Sequence, residues 1–244
     1  MNTKSRFRTL YIRRLVIRSL IFISMILLYI FRKNDFDVAT GFNFITKFSP
    51  LHILWGIWMV DMILQLCKVP KYWPLGSQKF WGNRYLPDLT GLDKHLFKRY
   101  IKQVNSDIIS VAITWILLTA IIDILYFTHT ISYQVVILCT TAFYVCDLIC
   151  VIIWCPFRAF FMHNKCCTTC RIFNWDHAMM FLPLIAIPGI WTYTLLALSI
   201  VILIVWEVAC TLHPERFHEI TNCALRCSNC KDRLCGKPIN EEKP

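Results

Sequence analysis

Charge is what this sequence has least of. Only 17% of its 244 residues are Asp, Glu, Lys or Arg, where soluble proteins carry about 25%. Glycine is also scarce, at seven residues. None of the seven forms the dinucleotide fingerprint or the phosphate-binding loop, so nucleotide chemistry of those kinds is not encoded. Basic residues are not interleaved with aromatics as on a nucleic-acid-binding face. No internal repeat is visible, which sets aside solenoids and ranks transport built on inverted repeats low. No small-x-small cleavage site follows the first apolar run, which ends in Arg32-Lys33-Asn34-Asp35. The N-terminus therefore reads as an uncleaved signal anchor.

What is present is apolar and aromatic. The apolar share is 57%, aromatics make up 14%, and there are nine Trp; mean hydropathy is +0.51. A bilayer core takes about 20 apolar residues per helix. Candidate spans run over 16–31, 51–67, 108–128 and 133–154. A last apolar stretch, 178–210, is too long for one untilted span and is interrupted by Pro183 and Pro188-Gly189. Proline removes a helix hydrogen bond and glycine loosens the backbone, so this stretch is expected to kink or to re-enter. The expected fold is all-α: a polytopic membrane bundle of about five spans, with cysteine-rich loops at the membrane surface. Its parts are a basic tail (1–15), a transmembrane domain (16–210) including loops 68–106 and 155–176, and a cysteine-rich C-terminal tail (211–244). Within the first loop, 92–101 reads as a basic amphipathic helix lying on the membrane.

The charge that exists is lopsided, 26 Lys and Arg against 15 Asp and Glu. It falls between the apolar runs, so it reads as a topology signal rather than a nucleic-acid footprint. If the last stretch returns to its starting side, 22 Lys and Arg lie on one side of the membrane and three on the other. A single final crossing divides them 16 to nine. The first division suits the positive-inside rule better. The reading is a multi-pass protein of a bacterial cytoplasmic membrane, with its N-terminus and its tail cytoplasmic. The stretch 178–187 reaches only about 15 Å as a helix, a half-crossing.

Thirteen cysteines carry the functional expectation. Cys155, Cys166, Cys167 and Cys170 follow the fourth apolar run; Cys223, Cys227, Cys230 and Cys235 follow the last. Each group supplies four thiols, and each contains a Cys-x-x-Cys pair that can set two sulfurs on one metal. Arg158, Lys165 and Arg171, then Arg226, Lys231 and Arg233, would lower thiol pKa values. Four thiolates suit an iron–sulfur cluster, with 4Fe-4S the expected form, or zinc. The leading expectation is a membrane-embedded electron-transfer protein with iron–sulfur clusters on both groups, linking a redox partner protein or subunit to quinone. The alternatives are a scaffold stapled by zinc and a membrane thiol–disulfide oxidoreductase using Cys167–Cys170 or Cys227–Cys230. Cys139, Cys146 and Cys150 share one helix face and read as packing residues.

Four carboxylates, Asp61, Asp123, Asp147 and Glu207, fall inside apolar runs. Such groups are costly in lipid; they are expected either to pair with neighbouring helices or to serve a proton path or a quinol hydroxyl. His52 and His129 would sit near the outer face as haem or quinol candidates. Asp176 reads as a helix N-cap, and His213 or His218 as a substitute ligand.

Overall fold

The computed structural model describes residues 6–67, 80, 85–88, 93–162, 166–230 and 234. The expectation that Lys165, Lys231, Arg233 and Cys235 take part in the cysteine groups lies outside those residues. The described chain is helical, with isolated bridges in place of strands. Six helices organise it: α1 (Arg6–Phe31), α2 (Leu51–Leu66), α3 (Lys94–Phe127), α4 (Tyr133–Ile152), α5 (Asp176–Phe181) and α6 (Ile190–Leu212). By length and composition α1, α3, α4 and α6 can cross a membrane; α2 is apolar but shorter. This is the all-α membrane bundle.

Two helices are longer than the apolar windows suggest. α1 begins within the expected basic tail, because nothing between residues 6 and 31 breaks a helix. α3 fuses the expected surface helix to the third span. No Pro or Gly interrupts 94–127, and Asp93 caps the start by accepting from the backbone N–H of His95 (2.7 Å) and Leu96 (3.4 Å).

The last apolar stretch turns back. α5 continues as a 3₁₀ segment, Leu182–Ala186, with Pro183 in its first turn, where its missing N–H is not needed. The chain then reverses at 187–189 and returns as α6, antiparallel to α5. The reversal is pinned to the loop after α1: Gly41 N–H donates to Pro188 O (2.8 Å), and Ile190 N–H to Gly41 O (3.1 Å). Gly41 sits at φ +54, where only glycine is unstrained. Gly189 is required for space instead, since an added Cβ would stand 2.1 Å from the Ala39 carbonyl oxygen.

Trp58 of α2 is the hub of the core. It is fully buried and lies edge-on to Tyr144 of α4 (5.7 Å), Phe181 of α5 (5.1 Å) and Trp191 of α6 (5.9 Å). α1 packs along α4. α3 leans on the 182–186 and 158–162 segments, and Trp115 donates to the Met179 carbonyl (2.9 Å). Large apolar side chains remain exposed along α1, α3 and α6. Lipid tails cover such faces at no cost, whereas water would not.

The bundle has two unlike ends. At one lie the 33–50 loop, the 129–132 turn and the 187–190 reversal; the Tyr133 hydroxyl donates to Asp37 across them (2.6 Å). That bond holds the Asp37 carboxyl below the usual range. At the other lie the start of α1, residues 153–162 and 166–175, and residues 213–230 with segment 85–88. Phe7, Tyr11 and Leu15 pack there on Leu148, Val151, Ile152 and Leu234.

Candidate functional site at the cysteine-rich end

α4 stops at Ile152, just short of Cys155-Pro156. The residue before a proline is pushed out of helical geometry, which leaves Cys155 free to turn its sulfur inward. Cys155 is buried, and its sulfur accepts from the backbone N–H of Arg158 at 3.4 Å. The Cys150 and Cys167 side chains lie within hydrogen-bond reach of the same sulfur. These hydrogen bonds, Cys150's first, hold the Cys155 thiol well below its ordinary pKa. The partner contact pushes the Cys167 thiol the other way, with burial adding to it. The acidities of this contact pair are thus pushed apart, with Cys155 the more acidic. Cys167 Sγ also lies 3.0 Å from the Cys150 carbonyl oxygen.

The first expected group is thus partly assembled. Cys155 and Cys167 meet. Cys150, read from its helix face as a packing residue, joins them; the signal was its place five residues before Cys155 and one helical turn after Cys146. Cys166 turns toward the Thr168 hydroxyl (3.2 Å). Cys170 packs against Ile108, Val111, Met162 and Ile172. The Cys167–Cys170 turn is closed by Cys170 N–H donating to Cys167 O (3.0 Å).

The frame around this loop is strong. Arg171 makes a two-pronged pair with Glu207 of α6, both contacts 2.7 Å, and Trp175 donates to the same carboxylate (2.7 Å). Trp206 donates to the Arg171 carbonyl (2.9 Å). Arg171 is thereby engaged by Glu207 rather than by a thiolate. Asp176 is the first residue of α5 rather than its cap.

The second group stands on segment 85–88. Cys223 N–H donates to Leu86 O (2.8 Å), and Asp88 N–H to Thr221 O (2.9 Å). The fully buried Asn222 side chain accepts from Ala224 N–H (3.1 Å) and donates to Arg216 O (2.7 Å). Arg226 pairs with Asp88 at 2.9 Å. Burial and a hydrogen bond to Asp88 (3.3 Å) raise the Cys223 pKa despite Arg226 nearby. Cys227–Cys230 closes like the first pair, with Cys230 N–H on Cys227 O (3.1 Å). His218 is boxed by Phe97 (5.7 Å) and Tyr100 (5.0 Å). Burial first, then the Arg171 charge, drives its pKa down to about 4, so it is a neutral packing residue. Among the described residues, no three His, Cys, Asp or Glu side chains are already arranged around a metal ion.

A second polar layer lies deeper in the bundle. Arg18 of α1 donates to Asp147 (2.6 Å) and to the Tyr144 carbonyl (2.8 Å), and stacks on the Tyr144 ring (3.9 Å). His177 lies 3.4 Å from Asp61 and 3.2 Å from Asp176. Three of the four intramembrane carboxylates are thus paired. The fourth, Asp123, has a buried oxygen with no hydrogen-bond partner among the described residues. His52 organises its own loop, accepting from Ser49 N–H (3.2 Å) and meeting the Phe44 carbonyl (2.8 Å). His129 closes α3 at φ 58.

No protein-family model, no curated protein and no solved structure matches the chain.

Proposed function

We propose that this is a membrane-embedded electron-transfer protein whose carriers are thiolate centres at the cysteine-rich end of the bundle. The observation that carries the reading is the Cys155 sulfur, buried at the foot of α4, with the Arg158 backbone N–H on it at 3.4 Å and the Cys150 and Cys167 side chains beside it. Iron–sulfur clusters would be held by Cys155, Cys166, Cys167 and Cys170, with Cys150 within reach, and by Cys223, Cys227, Cys230 and Cys235. Both groups lie at one end of the bundle, so electrons would pass between them over a short path. That end faces the cytoplasm in this reading, which gathers the basic segments on one side. A soluble redox protein or partner subunit would meet the 85–88 and 213–230 surface, and quinone would serve as the membrane partner.

Metal and acid-labile sulfide analysis of protein purified without oxygen tests this, with the absorption spectrum recorded alongside. Iron and sulfide at roughly four or eight per chain support it, as one or two four-iron clusters would give. About one or two zinc without colour would replace it with the zinc-stapled scaffold.

The contact between Cys155 and Cys167 favours a second reading, membrane dithiol–disulfide chemistry. A low-pKa thiolate beside a protonated thiol is the arrangement that attack and resolution require. Metal-free protein in which these two cysteines gain a reversible disulfide on oxidation would establish it.

A further inference from the structure

We infer that the lipid-facing groove between α2 and Tyr144 is a binding site for a membrane-dissolved quinol, whose hydroxyl donates a hydrogen bond to Asp61. The choice of a quinol rests on the redox reading above; the site itself rests on the groove. Its volume is about 520 Å³, within the range of about 300–1,000 Å³ typical of small-ligand pockets. α2 buries one stripe in the core, Leu51, Leu54, Trp58 and Met62. The neighbouring stripe, Ile53, Ile57, Val60 and Leu64, walls the groove. Gly56 opens it, for an added Cβ there would meet nothing within 4 Å. Tyr144 of α4 supplies an aromatic lining.

The polar end selects the occupant by charge. Asp61 is the carboxylate among the described residues that line the groove, and 48% of its side chain is exposed. Behind it stands His177, 6% exposed and 3.4 Å away, with Asp176 beyond at 3.2 Å. Of the α1 cations that act on Asp61, Arg18 and Arg14, Arg18 is engaged by Asp147 and the Tyr144 carbonyl. With His177 held between Asp61 and Asp176, the exposed face of the Asp61 carboxylate is left to accept from a hydroxyl, a role a phosphate headgroup, itself anionic, cannot fill. A quinol offers that hydroxyl, a flat ring for Tyr144 and an apolar chain for the α2 stripe. The location suits the redox reading as well. Tyr144 and Cys150 are six residues apart on α4, a rise of about 9 Å, so a ring in the groove sits within electron-transfer reach of the Cys155 centre.

The test uses the full chain in lipid nanodiscs with radiolabelled decyl-benzoquinol as probe. Saturable binding is expected, weakened at least tenfold in Gly56→Phe, whose Cβ meets nothing within 4 Å and whose ring would occupy the groove. Asp61→Asn is expected to weaken it similarly. Unchanged thermal unfolding of Gly56→Phe serves as the folding control. Non-saturable uptake, binding indifferent to both groove variants, or equal competition by decylbenzene, which lacks hydroxyls, would overturn the site. Inert, metal-free cysteines with intact groove-dependent binding would overturn the electron-transfer reading and leave the site standing.

Discussion

Cys155 shows how much one sulfur depends on its neighbours. The expectation from sequence was that nearby Arg and Lys would make the thiolates. Instead, two thiols and backbone N–H groups stabilise the charge at Cys155, Arg171 is taken by Glu207, and Cys223 stays protonated beside Arg226. Residue type and spacing made the cysteine groups legible; the partition of protons within them was not, because it depends on which donors fold against which sulfur. The consequence is measurable as alkylation by a small reagent at pH 6, followed by mass spectrometry. Cys155 should label well ahead of an ordinary thiol of pKa about 8.5, and Cys150→Ala or Cys167→Ala should slow that labelling several-fold. His218 gives a second prediction. Its folded pKa of about 4 lies below the ordinary value near 6.5, so the unfolded chain takes the proton first. Stability is therefore full above about pH 6.5 and falls as pH drops toward 4, by up to about 3 kcal/mol. Thermal unfolding in detergent across that window should show the slope, and His218→Phe should flatten it.

Among the elements, α2 and α4 match their apolar windows to within two residues, because polar segments and prolines bound them on both sides. α1 and α3 overran theirs for the opposite reason. A hydropathy window sees where a helix leaves the lipid, whereas the backbone stops only at a breaker, and neither helix contains one. The reversal at 187–190 was legible as a break but not as a turn, since its direction is decided by Gly41, nearly 150 residues away in sequence. Gly189→Ala tests that junction. Its φ of −175 suits any residue, but the new methyl would be driven into Ala39. A loss of about 2 kcal/mol is expected from the overpacking, seen as a lower unfolding temperature with the cysteine end unperturbed.

For the whole molecule, stability concentrates at two places. Trp58→Ala removes the ring that α2, α4, α5 and α6 share and should cost about 3–5 kcal/mol. Arg171→Ala leaves Glu207 without its forked partner and should cost about 3 kcal/mol. The two should differ in where the damage appears. The first loosens the bundle globally, while the second frees the 166–175 loop, read out as faster proteolysis and altered Cys155 labelling before global unfolding.

The short return segment bears on how the chain enters the membrane at all. Residues 176–186 begin with Asp-His and are too few to span a bilayer core, which takes about 20 residues. They gain their partners from α6, α2, α3 and α4. They must therefore insert as a hairpin together with α6, after the earlier helices are in place. A nascent chain ending at Ile187 would leave this segment outside the bilayer. Arg171 and Trp175 would then wait without the carboxylate that anchors them until synthesis reaches Glu207.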